Sequence, residues 1–202
     1  MMKYLPTIFA LFFLSFIATA QEELDLYNLA DSKSQNDEFK DAITLLTDAI
    51  RINPDYYDAY QLRGFLKTEM GDYRGAIVDL DKAHSLDTSN YFPISLKGHV
   101  YRLWGKYEEA ISNYTEVINN QPYMHPYYYR GLCYRHLLNQ EMALLDFNEA
   151  IALDSTFVDS YLQRAHVKLA LGDVDGGCLD FSTAGELGHS DAYAAIRLFC
   201  SD

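Results

Sequence analysis

Arg63, Lys97, Arg130 and Arg164 share one phase of the chain, and sixteen residues after each comes Asp79, Asn113, Asp146 or Asp180. One register back, Leu29 and Leu45 hold the two places, so both partners change together, which predicts contact between them. A paired charge is tolerated inside a protein where a lone one is not. Arg63 with Asp79, Arg130 with Asp146 and Arg164 with Asp180 are therefore expected as internal structural pairs. The other chemically capable residues lack a catalytic arrangement. No Ser or Cys stands in a nucleophile elbow, no His-Glu-x-x-His stretch occurs, and no glycine loop could cradle phosphate. The carboxylates are dispersed, so no enzyme activity and no cofactor is expected.

The element that positions these residues is a repeat. Gly64, Gly98, Gly131 and Ala165 recur at intervals of 34, 33 and 34 residues, and Ala76, Ala110, Ala143 and Gly177 follow twelve residues later. A third small column runs through Ala49, Ala83, Val117, Ala150 and Ala184, beside a bulky one of Leu46, Leu80, Tyr114, Phe147 and Phe181. Small residues let two helices approach closely and bulky ones fill the space beside them. No single unit of this kind buries its own apolar face, so the units must stack. The boundaries read as 23–56, 57–90, 91–123, 124–157 and 158–191, with a further helix over 192–200. Each unit carries two amphipathic helices by the spacing of its apolar residues. Met70-Gly71-Asp72-Tyr73 breaks one pair, and Asn53-Pro54 and Gln121-Pro122 close two units. His99 and His166 lie two units apart, too far to share one metal ion, so no metal site is expected.

These columns, the Gly-Asp-Tyr and Gly-Lys-Tyr turns and the terminal prolines resemble the tetratricopeptide repeat (TPR) family. The likeness covers residues 23–191. The family's tryptophan-like first position is held by Leu26, Tyr60, Ile94, Tyr127 and Tyr161; the fourth unit has Leu138-Asn139-Gln140 where a turn glycine belongs, and the fifth has Val174 for the turn aromatic. The resemblance implies an all-α, right-handed α-solenoid of about five helix pairs plus a C-terminal capping helix. It also implies that the first helix of each pair lines a groove that holds a peptide or partner protein. Carried over by position, that groove presents Phe65, His99, Arg102, Tyr128, Tyr129, Leu132, Arg135 and His166. Arg102 and Arg135 are equivalent positions of adjacent repeats and would sit side by side. The chaperone-tail-binding subtype uses a lysine- and asparagine-rich clamp, where this chain has Tyr27 and Asp31.

Arginine forks bind carboxylates and tyrosines give rigid contact area, which points to an acidic peptide or protein as partner. The alternative is a structural component of an envelope complex, contacting its partners through convex or terminal surfaces. The formal net charge of −13 argues against nucleic acid, which demands a basic face.

Residues 1–20 differ from the rest. Lys3 precedes an apolar run from Ile8 to Ile17, and Ala18-Thr19-Ala20 has the small residues of a cleavage site. A secretory signal cut before Gln21 is expected, leaving residues 21–202 periplasmic or secreted with no integral membrane span. An uncleaved N-terminal anchor is the alternative. Three cysteines follow: Cys133 reads as a small buried hydrophobe, whereas Cys178 and Cys200 fall at similar heights on neighbouring helices. Both a Cys178–Cys200 disulfide and two free thiols remain open at this point.

Overall fold

A computed structural model describes the backbone of residues 5–200 and the side chains of residues 20–200. The expected signal segment, apart from Ala20, lies outside the described side chains. Among the described residues the chain is all helix, with no strand, in the order α1 Leu5–Gln35, α2 Phe39–Ile52, α3 Tyr57–Glu69, α4 Tyr73–Leu86, α5 Phe92–Leu103, α6 Tyr107–Asn120, α7 Met124–His136, α8 Gln140–Leu153, α9 Val158–Ala170, α10 Val174–Glu186 and α11 Ser190–Phe199. The all-α class read from the repeat is the class observed. Two compact units divide it, residues 1–93 and 94–202. No helix among the described residues is long and apolar enough to cross a membrane.

Local chemistry sets the helix ends. α2 and α6 stop at Asn53 and Gln121, whose backbones leave the helical region (ψ 97° and 73°), as suits a residue that precedes proline. Asp72, Asn139 and Asp173 each accept a hydrogen bond from the backbone N–H three residues on, capping α4, α8 and α10. The turn into α8 keeps the left-handed backbone of the glycine turns without the glycine: Leu138 has φ 59°, where Gly105 and Gly172 have 77° and 86°. A branched side chain is strained there, at about 1–2 kcal/mol.

In the first unit α1 packs on α2 and α3 on α4, around Ala30, Ala42, Leu46, Ala59 and Leu66, all fully buried. In the second, α7 packs on α8 and α9 on α10, and α11 lies against α10. The two helices of a pair run antiparallel: Lys168 reaches the Gly176 carbonyl at 3.3 Å near the turn, while Arg164 meets Asp180 further from it on both helices. Close approach depends on the small columns. A Cβ placed on Gly98 would lie 2.8 Å from the Tyr114 ring, and one on Gly131 would lie 2.9 Å from the Phe147 ring.

This closeness brings the charged columns together. Arg63, Arg130 and Arg164 each grip the aspartate sixteen residues later through Nε and Nη2, at 2.7–2.9 Å. Each also sends Nη1 to the preceding repeat, to Thr47, Thr115 and Asn148 at 2.8–3.0 Å. The guanidinium thus fastens a helix pair internally and to its neighbour, using the planar fork that lysine lacks. Lys67 and Lys168 add a second cation to Asp79 and Asp180. The third repeat differs, because Asn113 turns to its own helix and donates to the Glu109 carbonyl.

Asp146 is nearly sealed from solvent, with 3% of its side chain exposed. Replacing Arg130 by Leu alone strands that carboxylate and is expected to cost about 3–5 kcal/mol. The double change Arg130→Leu with Asp146→Leu should recover most of the loss, because two leucines already stand at these places in the first repeat. Urea denaturation of the two variants checks this; equal midpoints would contradict the pairing.

Candidate functional site

Within the second unit, the first helices α5, α7 and α9 carry seven of the eight residues expected in the groove, and Phe65 stands exposed on α3 of the first unit. Tyr129 is the hub of the seven. Its ring meets His99 edge-on at 5.8 Å, stacks on Tyr114 at 6.0 Å and on His125 at 6.4 Å, and takes the Arg102 guanidinium over its face at 5.2 Å. Arg102 Nη2 lies 3.2 Å from His99 Nδ1. A guanidinium can only donate, so Nδ1 accepts and the imidazole is neutral with its proton on Nε2. Burial and then the Arg102 charge hold the His99 pKa down at about 4.

Arg102 is half-buried, and its Nε has no hydrogen-bond partner among the described residues. Its neighbours are an imidazole and a phenol face, neither of them an anion. Behind it lies Tyr114, fully buried, whose hydroxyl makes no well-aligned hydrogen bond but lies within reach of the Arg102 side chain, and whose pKa burial pushes far up. Cys133 is buried beside them with its thiol raised by burial to about 12, against the pull of Arg102. One repeat on, Arg135 Nη1 donates to Gln163 Oε1, again a neutral partner. Arg135 also bears on His166, whose pKa is lowered first by burial and then by that charge. The contrast is internal to the chain: Arg63, Arg130 and Arg164 each hold a carboxylate through Nε and Nη2, whereas Arg102 and Arg135 meet neutral partners.

Tyr128 does not belong to the open face, contrary to its expected position. It is only 9% exposed and packs edge-on against Phe157 at 4.9 Å and tilted against Phe147 at 6.0 Å. Three consecutive tyrosines span about 200° of a helix, so Tyr127, Tyr128 and Tyr129 cannot share one surface. Burial and the nearby Asp159 raise the Tyr128 pKa to about 12, and Arg102 and Arg135 both oppose the rise. Tyr128 is therefore part of the core, within the field of both arginines. Leu132 is half-buried against the same core, and His166, though exposed, lies on Phe181 at 5.1 Å. Tyr129, His99, Arg102 and Arg135 remain as the polar working surface. Among the described residues no group of three or more His, Cys, Asp or Glu side chains is placed to hold a metal ion.

A family model described as "Tetratricopeptide repeat" matches residues 26–56 and 95–123. The chain carries tetratricopeptide repeats over those residues, and proteins built on such repeats generally mediate protein–protein interaction. It is 30% identical over 171 residues to RNA polymerase II-associated protein 3 of Xenopus tropicalis, a match that takes in 78% of this chain and 24% of the relative. The chain thus spans about a quarter of that relative's length. The solved structure described as the functional characterization of Pseudomonas aeruginosa pilF superposes with a TM-score of 0.76 at 16% identity, covering 92% of this chain and 95% of the other. YrrB, described as a TPR protein with an unusual peptide-binding site, superposes with a TM-score of 0.68 at 15% identity, covering 92% and 97%. Likeness at such identities concerns the fold.

The depressed pKa of His99 has a sign that can be checked. Unfolded, the imidazole takes a proton near pH 6.5; folded, only near pH 4. The unfolded chain therefore binds more protons in between, and stability is present above about pH 6.5 and lost as pH falls toward 4. Proton NMR should show the His99 ring titrating about two units below an ordinary histidine. His99→Gln should flatten the part of the stability–pH curve that His99 contributes. A His99 midpoint near 6.5 would contradict the geometry.

Proposed function

We propose that the first-helix face of the second unit binds a carboxylate-bearing segment of a partner protein, and that the chain acts as a non-catalytic interaction scaffold. One observation carries this: Arg102 and Arg135 are the groove arginines, both held by neutral partners, in a chain of net charge −13 that pairs its other repeat arginines with aspartates. A half-buried guanidinium with an unpartnered Nε is an incomplete site, and an incoming carboxylate completes it through charge-assisted hydrogen bonds. Tyr129 holds the Arg102 fork from beneath, so little side-chain entropy is lost on binding. The peptide-binding description of YrrB supports the same reading by analogy of fold. Export, to the periplasm or the medium, fits the N-terminal pattern of Lys3, an apolar run and Ala18-Thr19-Ala20.

A second reading has its own support. Leu145 and Leu179 stand exposed at corresponding positions of α8 and α10, on the second helices and not the first. Such residues would serve an assembly role in an envelope complex.

The two readings separate in one experiment. A fluorescent peptide rich in Asp and Glu with a free C-terminus, and its Asn/Gln amidated twin, are titrated against the chain at low and physiological salt. Only the acidic peptide should bind, more weakly as salt rises, because charges separated by more than about 8 Å are screened at physiological ionic strength. Arg102→Gln and Arg135→Glu should each weaken binding at least about tenfold while circular dichroism stays helical. Equal binding of both peptides, or unchanged binding by both variants, would overturn the reading.

A further inference from the structure

We infer that the Cys178–Cys200 disulfide is a latch that holds α11 as a removable cap on the α9–α10 pair, and that thiol reduction opens it. The two residues are bonded across 22 positions of sequence, with Cα atoms 5.8 Å apart. Apart from that bond, α11 is held at few points. It is ten residues long and buries only Ala192 fully. Helices shorter than about 12 residues are marginal on their own in water.

Two points fix it to the pair. At its near end Tyr193 lies over Gly185 and donates its hydroxyl to the Gly185 carbonyl at 3.2 Å. At its far end Phe199 stacks on Phe181 at 6.2 Å and meets His166 edge-on at 6.3 Å. The disulfide sits at that far end, beside Phe199, where a helix would otherwise fray first. Beneath the cap lies Phe181, fully buried and stacked on Phe199, so departure of α11 would bare apolar surface.

The chemistry is confined to one pair. Cys178 and Cys200 are half-buried and thus within reach of a small dithiol. Cys133 is fully buried with its thiol pushed up to about 12, which keeps it out of exchange. A dithiol reductant attacks one sulfur as its thiolate, forming a mixed disulfide and expelling the other cysteine as thiolate. Its second thiol then displaces the protein, leaving the reductant as a disulfide and the chain with two thiols. Reduction also frees His166 from Phe199, lengthening the exposed first-helix face. The latch does not depend on what that face binds.

Hydrogen exchange followed by mass spectrometry on the full chain, oxidised and after dithiothreitol, tests it. Peptides covering 190–199 should exchange at least about tenfold faster after reduction, with α7 through α10 unchanged, as expected when closure of a loop of this length is released. Cys178→Ser with Cys200→Ser should match the reduced chain and ignore the reductant. Equal protection of α11 in both states would overturn the latch. So would loss of protection spreading through α9 and α10, which would make the bond part of the pair's own fold. Free Cys178 and Cys200 thiols in chain isolated from an oxidising medium would overturn it as well.

Discussion

A bulky side chain lying directly on a small residue is the contact from which the rest of each pair follows. Tyr114 covers Gly98 and Phe147 covers Gly131, while in the first unit Leu80 covers Gly64, and in all three an added Cβ would come within 2.9 Å of the covering side chain. Helices brought this close put the residue before the glycine within reach of the residue before the bulky one. Those two positions hold Arg63 with Asp79 and Arg130 with Asp146. A guanidinium can be taken largely out of water only where its carboxylate waits in fixed geometry, since desolvation otherwise outweighs the attraction. Apolar burial supplies the driving force; the ion pairs set register within a pair and, through Thr47, Thr115 and Asn148, between neighbours.

The candidate site grows from a variation on the same theme. In the third repeat the bulky column holds Tyr114, so a hydroxyl is carried into the core where Leu80 and Phe147 carry none. The charged column is altered there too, with Asn113 bonded to its own helix. Arg102 then comes to rest between a neutral imidazole and a tyrosine face, its charge felt by His99, Tyr114, Tyr128 and Cys133. The arginines of the charged column, Arg63, Arg130 and Arg164, are structural; Arg102 lies outside that column and meets a neutral imidazole.

The fold class was legible because every packing column recurs at 33 or 34 residues, and a period is robust to any one substitution. Single side chains were less so. Position in the repeat assigns Tyr128 to the groove, but its orientation depends on Phe147 and Phe157, whose rings claim it for the core. The third partners of the ladder went unread, although Thr47, Thr115 and Asn148 also fall on the repeat period; short polar residues on a helix surface carry no signal until an arginine is seen to reach them. The turn at Leu138 lacks its glycine yet keeps the glycine backbone, because the packing on either side dictates the path of the chain. The neutral partners of Arg102 and Arg135 depend on rotamers that a sequence does not specify.

Equilibrium urea denaturation of a graded series at Gly131 tests the central claim most directly. In the last repeat Ala165 takes the place of Gly131 and Phe181 that of Phe147, so Gly131→Ala should be accommodated by a small shift of the Phe147 ring. Gly131→Val adds branched bulk that no such shift absorbs, and overpacking of a filled core costs about 1–3 kcal/mol. The account predicts a small loss of stability for alanine and a clear one for valine, with the valine variant also weakening the Arg130–Asp146 pair that the close approach positions. A valine variant with the denaturation midpoint of the parent would show that the ring-on-glycine contact does not govern the pair, and would contradict the account at its base.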